Sequence, residues 1–292
     1  MKIIVSKVSG FCSGVRRTLK LVWDALERCS GRVYVDGETV HNRLVMQALE
    51  DANVKLFRDS DQRCIVPNDC IVTRAHGIPE SRYSQLKGCF KNVTDGTCSH
   101  VAGVLQLIKH VSGEARDVVI VGNSEHPEVI TLVDAARGGK CFVINSAEQV
   151  KSLPHDLTRV LLIAQSTIDG ELFADVAKAI GEKYSDAEVK NTICGSSRVR
   201  QRAILDLARE GVEAIIVVGG KHSSNTTVLV KVARRTGLPV FHIEVAAELP
   251  LNELEKFCSI GVATGASTSE EMVREVVDSL REKCVGKRIP NA

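Results

Sequence analysis

The sequence predicts an α/β fold with mainly parallel sheets, arranged as three similar units. Strand-like apolar runs alternate with helical patterns throughout the 292 residues. A cysteine precedes a helical pattern three times, at Cys12, Cys98 and Cys194, which are 86 and 96 residues apart. About 28 residues after each cysteine, a strand ends in a polar loop that carries a histidine. Three copies of one unit explain these repeats most simply.

The first unit covers residues 1–97. It begins with the strand pattern KIIVS and a turn, followed by the helical pattern CSGVRRTLKLVWDAL. Its later strands are VYVDGETVHN, which reaches His41, and CIVTRAHG, which reaches His76. Both histidines follow apolar runs, so we expect them at the carboxyl ends of parallel strands, where ligands usually bind.

The second unit covers residues 98–193 and the third covers residues 194–292. After the helical pattern CSHVAGVLQLIKHV, the second unit has the strands VVIVGNSEHPE with His126, CFVIN, and VLLIAQST with Ser166 and Thr167. After CGSSRVRQRAILDLA, the third unit has the strands AIIVVGGKHSSN with His222, PVFHI, and GVATGAS with Ser267. The same order of elements therefore recurs in both units.

Composition narrows the classes of partner. The net charge is +2 and a quarter of the residues are charged, which does not indicate a nucleic-acid-binding surface and favours a small molecule. The sequence shows no signal peptide and no apolar run long enough to span a bilayer, so we expect a cytoplasmic location without a membrane partner. Nothing in the pattern signals oligomerisation, and we expect a monomer.

The ten cysteines are expected to be free thiols, not disulfide partners. In a reducing compartment, thiols are typically buried core residues, metal ligands or catalytic groups. No CxxC occurs, so any metal site must combine distant parts of the chain. Seven cysteines lie outside the repeated position, and we expect them to be buried core residues: Cys29, Cys64, Cys70, Cys89, Cys141, Cys258 and Cys284.

The three repeated cysteines are candidate metal ligands. A helix amino terminus favours the thiolate form, which binds soft metals. Three thiolates can hold zinc with one open position, or a cubane iron–sulfur cluster with one iron that lacks a protein ligand. The simpler alternative is three buried cysteines that share only a common ancestry.

The polar loops supply candidate anion-binding residues. They are rich in neutral or cationic donors and several lie where a helix begins, which suits phosphate. The candidates are His41, His76, His126, Ser166, Thr167, Ser223, Ser224, Asn225 and Ser267. Taken singly, Ser223 and Asn225 are typical helix caps. Glu128 in HPE is a candidate proton donor, or else an acidic residue that complements a helix dipole.

Seven short motifs together resemble the 4-hydroxy-3-methylbut-2-enyl diphosphate reductase family. They are GFCSGVRR, VHN, AHG, TC, HPEV, SSN and GAS, and the match runs in order from residue 1 to about residue 283. The resemblance implies a trefoil of three pseudo-threefold-related α/β units with mainly parallel sheets around a central [4Fe–4S] cluster. By the same resemblance, Cys12, Cys98 and Cys194 ligate the cluster.

The resemblance also implies an activity. The family reduces its allylic alcohol diphosphate to isopentenyl diphosphate and dimethylallyl diphosphate, the last step of the methylerythritol phosphate route to isoprenoids. A small one-electron donor such as ferredoxin or flavodoxin is implied as partner. Carried over to this sequence, the resemblance makes Glu128 the proton donor that helps the hydroxyl leave as water. The resemblance also implies that the diphosphate is bound by His41, His76, Ser223, Ser224, Asn225 and Ser267. It implies that the substrate is lined by His126, Ser166 and Thr167.

Four positions depart from the family pattern. The chain has DGTCS around the second cysteine, with Gly96 and Ser99 where alanine and proline are usual. Val199 stands where asparagine is expected, and His222 stands where asparagine is common. None of these changes removes a proposed ligand or the acid. Glycine and serine around Cys98 and Cys194 are expected to loosen the starts of the two helices that follow. Two other classes compete with the reductase: a non-enzymatic redox or iron sensor, and a zinc hydrolase.

Overall fold

The computed structural model describes residues 1–114 and 116–285, and the side chains of this range up to residue 282. Within these residues the strands are β1 (Lys2–Val5), β2 (Val33–Asp36), β3 (Lys55–Leu56), β4 (Cys70–Thr73), β5 (Asn92–Thr94), β6 (Val118–Val121), β7 (Cys141–Ile144), β8 (Leu161–Ala164), β9 (Glu188–Val189), β10 (Ala214–Val218), β11 (Val240–Ile243) and β12 (Ser259–Thr264).

Helices alternate with these strands along the chain. The α-helices in the same residues are α1 (Ser13–Arg28), α2 (Arg43–Asp51), α3 (Glu80–Cys89), α4 (Ser99–Ser112), α5 (Pro127–Ala135), α6 (Gly170–Lys183), α7 (Gly195–Arg209), α8 (Ser224–Arg234), α9 (Leu251–Leu254) and α10 (Glu270–Val285). Three short 3-10 helices cover Asp59–Cys64, Glu148–Ser152 and Ala246–Glu248. Among the described helices, none combines the length and apolarity needed to cross a membrane.

The chain divides into two compact units. The first consists of Met1–Cys12, His41–Arg43 and the described residues of Gly195–Ala292. It holds one parallel sheet with the strand order β1-β12-β10-β11. Strand β10 is buried on both faces: Ile215 and Val217 pack in one apolar cluster, whereas Ile216 and Val218 pack in another. A continuous run of β-branched residues is typical of such a strand.

Strand β1 pairs with a strand near the other end of the chain and not with a strand of the first repeat. From the sequence, the pattern KIIVS is assigned to the first repeat, ahead of the first helix. In the structure, β1 pairs in parallel with β12, and Ile3 is opposite Ile260. The predicted boundaries of the three repeats, after residues 97 and 193, stay a prediction.

The second compact unit consists of Ser13–Val40 and Leu44–Cys194 and holds two parallel sheets. Their strand orders are β3-β2-β4-β5 and β7-β6-β8-β9. Strand β6 is also buried on both faces, since Val118 and Ile120 pack in one apolar cluster and Val119 and Val121 pack in another. The three all-parallel, four-stranded sheets with their helices confirm the predicted α/β class.

The repeated helices form where the sequence predicts them. Helices α1, α4 and α7 begin directly after Cys12, Cys98 and Cys194. In α1 the buried residues Val15, Leu19 and Val22 recur at the spacing of one helix face. The predicted strands at VVIVG, CFVIN, VLLIA, AIIVVGG and PVFHI are likewise confirmed as β6, β7, β8, β10 and β11. The candidate site residues lie in the polar loops that follow β2, β4, β6, β8, β10 and β12 or at the helix starts next to these loops.

The expectation that the remaining cysteines are buried core residues is wrong for four of the six whose side chains are described. Cys29 and Cys70 form a disulfide with a Cα–Cα distance of 6.3 Å. Cys64 and Cys258 are exposed. Cys89 and Cys141 are half-buried and pack against apolar core clusters, in partial agreement with the expectation. Sequence spacing does not indicate the pair, because 41 residues separate its members. The side chain of Cys284 lies outside the described residues.

Candidate active site

Three cysteines occupy the same local position in the fold. Each directly precedes a helix, and its backbone N–H donates a hydrogen bond to the carbonyl of a loop that follows a strand. The three bonds are Cys12 N to Ala266 O, Cys98 N to Ala75 O and Cys194 N to Ser166 O, each 2.9 Å long. The accepting loops follow β12, β4 and β8. The repeat found in the sequence is therefore a repeat of backbone hydrogen bonding as well.

The three thiols are suitable ligands for a soft metal. All three side chains are half-buried, and none of them is in a disulfide. Cys98 is the N-cap residue of α4, and its side chain forms no capping hydrogen bond. Cysteine sulfur is the donor that iron–sulfur clusters take from a protein, so the chemistry of each of these residues fits such a group.

The loop before Cys98 requires glycine at position 96. A Cβ atom on Gly96 would lie 1.8 Å from the carbonyl oxygen of Thr73. Both backbone groups of Gly96 are bonded: its N–H donates to the Thr73 hydroxyl at 2.9 Å, and its carbonyl accepts from the Thr18 hydroxyl at 2.8 Å. From the sequence, we expect this glycine to loosen the start of α4. The structure instead shows a tightly held loop, because the glycine lets two backbones approach closely.

Glu128 is a buried acid in the first turn of α5. Only 3% of its surface is exposed, and its two carboxylate oxygens accept hydrogen bonds from Ser166 N and Ser166 Oγ, each at 2.6 Å. Burial raises the pKa of Glu128 above the usual range of a carboxyl group, and the Ser166 hydrogen bonds and His100 oppose this shift. A carboxyl group in this environment retains its proton to a higher pH, which suits a proton donor.

Two predicted histidines lie beside each other in the same compact unit as Glu128. The rings of His76 and His126 contact edge to face, with 5.2 Å between their centroids. His126 is also the N-cap of α5, where its Nδ1 accepts a hydrogen bond from Glu128 N at 3.2 Å. Thr167 lies in the loop after β8, and its hydroxyl accepts a hydrogen bond from Gln165 at 3.1 Å. The structure thus brings together His76, His126 and Glu128 with the predicted loop after β8.

The other predicted residues meet in the first compact unit. Ser223 is the N-cap of α8, and its hydroxyl accepts a hydrogen bond from Thr226 N. Half-buried Ser224 is the first residue of the same helix. The Ser267 hydroxyl donates to the carbonyl of His41 at 3.5 Å. These residues surround the amino end of α8, where backbone N–H groups suit an anion.

Asn225 organises the loops around it. Its Nδ2 donates to the Ser197 hydroxyl at 3.2 Å, and its Oδ1 accepts from Ala266 N at 2.9 Å. Ala266 is the residue whose carbonyl accepts the N–H of Cys12. The buried amide therefore joins α7, α8 and the loop that holds the first cysteine.

Sequence reasoning missed Arg200 and His100. Arg200 is 4% exposed, and its guanidinium donates hydrogen bonds to the carbonyl of Gly10 and to the Ser196 hydroxyl. Gly10 lies two residues before Cys12, so Arg200 fixes the turn that leads to that cysteine. His100, in the first turn of α4, is 2.7 Å from the carbonyl of Thr192 through its Nε2. Helical periodicity gave no signal for either contact, since both reach distant loops.

The chain is similar over nearly its full length to proteins of one family. The family model described as LytB protein matches residues 3–281. A 4-hydroxy-3-methylbut-2-enyl diphosphate reductase from Opitutus terrae is 35% identical over 288 residues, which is 96% of this chain and 99% of the relative. The enzyme of that name from Nitratidesulfovibrio vulgaris is 36% identical over 278 residues, covering 94% of this chain and 98% of the relative.

Solved structures agree with these relatives. A structure of (E)-4-hydroxy-3-methyl-but-2-enyl diphosphate reductase, described as the terminal enzyme of the non-mevalonate pathway, matches with a TM-score of 0.71 and 31% identity. The match covers 97% of this chain and 100% of that chain. A reductase from Plasmodium falciparum, 24% identical over 95% of this chain and 87% of its own, shares the fold with a TM-score of 0.87. The resemblance drawn from the sequence motifs is confirmed, and the chain belongs to the LytB protein family.

Proposed function

We propose that the protein reduces 4-hydroxy-3-methylbut-2-enyl diphosphate to isopentenyl diphosphate and dimethylallyl diphosphate, the last step of the methylerythritol phosphate pathway. The observation that carries the proposal is the threefold recurrence of a cysteine before a helix, each with the same 2.9 Å backbone bond. The relatives named above, which cover nearly the full chain, support the same activity. The enzyme is thus an iron–sulfur oxidoreductase.

Cys12, Cys98 and Cys194 are the proposed ligands of a [4Fe–4S] cluster. Such a cluster supplies electrons one at a time and, with three cysteine ligands, keeps one iron accessible to substrate. The protein positions its ligands through the loop carbonyls, through Arg200 at the turn before Cys12, and through the bonded Gly96 before Cys98. These contacts hold each thiol at the start of a helix.

Glu128 is the proposed proton donor. The two hydrogen bonds from Ser166 fix the carboxyl group in one orientation, and burial keeps it protonated above the usual pKa of a carboxyl group. A proton delivered to the departing hydroxyl converts a poor leaving group into water. The buried, oriented carboxyl group also favours an enzyme over a sensor, because a sensor needs no positioned acid.

Two groups of polar residues are proposed to bind the substrate, one at its diphosphate and the other along the rest of the molecule. His41, His76, Ser223, Ser224, Asn225 and Ser267 bind the diphosphate in this proposal, while His126, Ser166 and Thr167 line the substrate. Ser223 and Ser224 stand at the start of α8, whose N–H groups and dipole attract a phosphate. Neutral donors in such a site hold the anion by hydrogen bonds.

The redox partner is proposed to be a small one-electron carrier such as ferredoxin or flavodoxin, because the cluster accepts electrons singly. The monomeric state and the cytoplasmic location expected from the sequence remain predictions. That neither nucleic acid nor a membrane is a partner also remains a prediction from the sequence.

Anaerobic purification followed by iron and sulfide analysis tests the proposal. We expect about four irons and four sulfides per chain, as a cubane cluster requires. Reduced methyl viologen is then added with the diphosphate substrate, and the two products are measured. Stoichiometric zinc without iron would support the hydrolase and overturn the proposal. A complete cluster with no turnover would favour the sensor.

A further inference from the structure

The Cys29–Cys70 disulfide has no part in the proposed reaction. Cys29 directly follows the last residue of α1, and Cys70 is the first residue of β4. The bond therefore joins the end of a helix to the beginning of the strand on which it packs. The residues around the bond bear on whether it is a permanent cross-link or a disulfide that is reduced and re-formed in the folded protein.

A brace independent of the disulfide holds the same two segments together. The carboxylate of Asp69, which is fully buried, accepts hydrogen bonds from Arg32 N at 2.8 Å and from the Arg32 guanidinium at 2.7 Å. Gly31 packs directly on the facing backbone, since a Cβ atom there would lie 2.5 Å from Asn68 O. These contacts join the segments that carry residues 29 and 70 and do not involve the S–S bond.

Both sulfurs have a hydrogen-bond acceptor ready for the reduced state. The carbonyl oxygen of Asn68 lies 3.1 Å from Cys29 Sγ and 3.7 Å from Cys70 Sγ. A disulfide sulfur carries no proton, whereas each thiol formed on reduction can donate its S–H to this oxygen. The site is therefore suited to the reduced state as well as the oxidised state.

A reductant has access to the pair. Both cysteines are half-buried and line a surface cavity of about 340 Å³ together with Asp24, Arg28 and Asn68. Thiol–disulfide exchange requires that an attacking thiolate reach one of the two sulfurs. The cavity provides that approach without unfolding of the sheet.

We propose that Cys29 and Cys70 are a reversible thiol–disulfide site that a dithiol reduces in the folded protein. A thiolate of the dithiol attacks one sulfur and the Cys29–Cys70 bond breaks, which gives a mixed disulfide. The second thiol of the dithiol then displaces the first. The pair gains two electrons and two protons and becomes two thiols, while the dithiol becomes a disulfide.

Differential alkylation of the anaerobically purified holoprotein tests this inference. N-ethylmaleimide is added before and after native treatment with dithiothreitol, and labelled peptides are identified by mass spectrometry. Exposed Cys64 and Cys258 serve as internal controls, since we expect both to be labelled in both samples. We expect Cys29 and Cys70 to be labelled only after dithiothreitol, and to lose this reactivity when oxidised dithiothreitol is added.

Three results would overturn the inference: labelling of both cysteines before reduction, resistance to dithiothreitol until a denaturant is added, or failure of the bond to re-form. The outcome is independent of the proposed catalysis, because turnover is not measured.

A second experiment tests whether the contacts between Asp69 and Arg32 hold the two cysteines together. We expect Asp69→Asn to slow re-formation of the disulfide about tenfold, because the charge-assisted hydrogen bonds that hold the two segments are weakened. Arg32→Gln gives the same test if the first variant does not fold. Asp24→Asn is the matched control, since Asp24 lines the same cavity but pairs with Lys20. Re-formation at the wild-type rate in both brace variants would refute the brace as the cause of reversibility.

Discussion

Replacing Glu128 by glutamine removes an ionisable proton and leaves the shape of the side chain nearly unchanged. In the native protein the two carboxylate oxygens accept hydrogen bonds from Ser166 N and Ser166 Oγ, each 2.6 Å long. The glutamine oxygen can accept the backbone bond, and its NH₂ group can donate to the Ser166 hydroxyl after that hydroxyl rotates. We therefore expect the variant to fold and to retain its iron.

The expected loss is in turnover. General acid catalysis typically contributes about 10²- to 10⁴-fold, so kcat of Glu128→Gln should fall by about that factor, or about 3 to 5 kcal/mol in the barrier. The assay is anaerobic product formation with reduced methyl viologen. Glu125→Gln is the matched control, because Glu125 lies three residues earlier and is exposed. Its turnover should equal that of the wild type.

The same substitution has a predicted effect on stability against pH. Burial raises the pKa of Glu128 in the folded state, so its contribution to stability is present at low pH and is lost as pH rises through that raised pKa. Glutamine does not titrate. Relative to the wild type, Glu128→Gln should therefore become more stable as pH increases, which urea-unfolding midpoints at about pH 5 and about pH 8 would measure.

Either of two results would refute this reasoning. Unchanged turnover in Glu128→Gln would remove this residue from the proton pathway. A stability difference that does not change with pH would show that the carboxyl group titrates normally in the folded protein.

Three further predictions concern the cysteine loops. Gly96→Ala should destabilise the protein by about 1 to 3 kcal/mol, because its Cβ would lie 1.8 Å from a carbonyl oxygen. Gly103→Ala is the control, since Gly103 has open space in α4, and it should stabilise the protein by about 0.5 to 1 kcal/mol. Urea unfolding measures both changes. Cys194→Ser should lose its cluster, measured as iron and sulfide per chain. Arg200→Met should cost about 2 to 4 kcal/mol, because a buried charged donor to the carbonyl of Gly10 is lost, and should lower the iron content.

Each of these three has a result that contradicts it. Equal unfolding midpoints for Gly96→Ala and the wild type would mean that the loop moves without cost. A Cys194→Ser protein with its full iron content would remove Cys194 from the ligand set. For the arginine, Arg202→Met is the control, since Arg202 is an exposed residue of the same helix. Similar losses in both arginine variants would show that the Gly10 contact is unimportant.

The sequence predicted elements that depend on local pattern. Strands β6, β8 and β10 are continuous apolar runs, and α1 shows an apolar stripe, so side-chain periodicity alone locates them. The three cysteines were found because the same pattern recurs at a similar spacing. Glu128 was found through its HPE motif, although only the structure revealed that Ser166 binds both carboxylate oxygens.

Contacts between distant segments were not predictable in this way. The pairing of β1 with β12 joins residues more than 250 positions apart, and a hydrophobic strand pattern carries no information about its partner. The Cys29–Cys70 bond was also missed, because spacing and the expected compartment favoured reduced thiols. Arg200 and Gly10 are 190 residues apart.

By itself, the sequence determined the α/β class, the threefold repeat, the three helix-initiating cysteines and the candidate acid Glu128, because these depend on residue type, on recurring motifs and on periods of two or 3.6 residues. Tertiary structure alone decided which strands pair, which carbonyl receives each cysteine N–H, and which glycine tolerates no side chain. Those features depend on distances between segments remote in the chain, and such distances arise only when the sheets and helices pack.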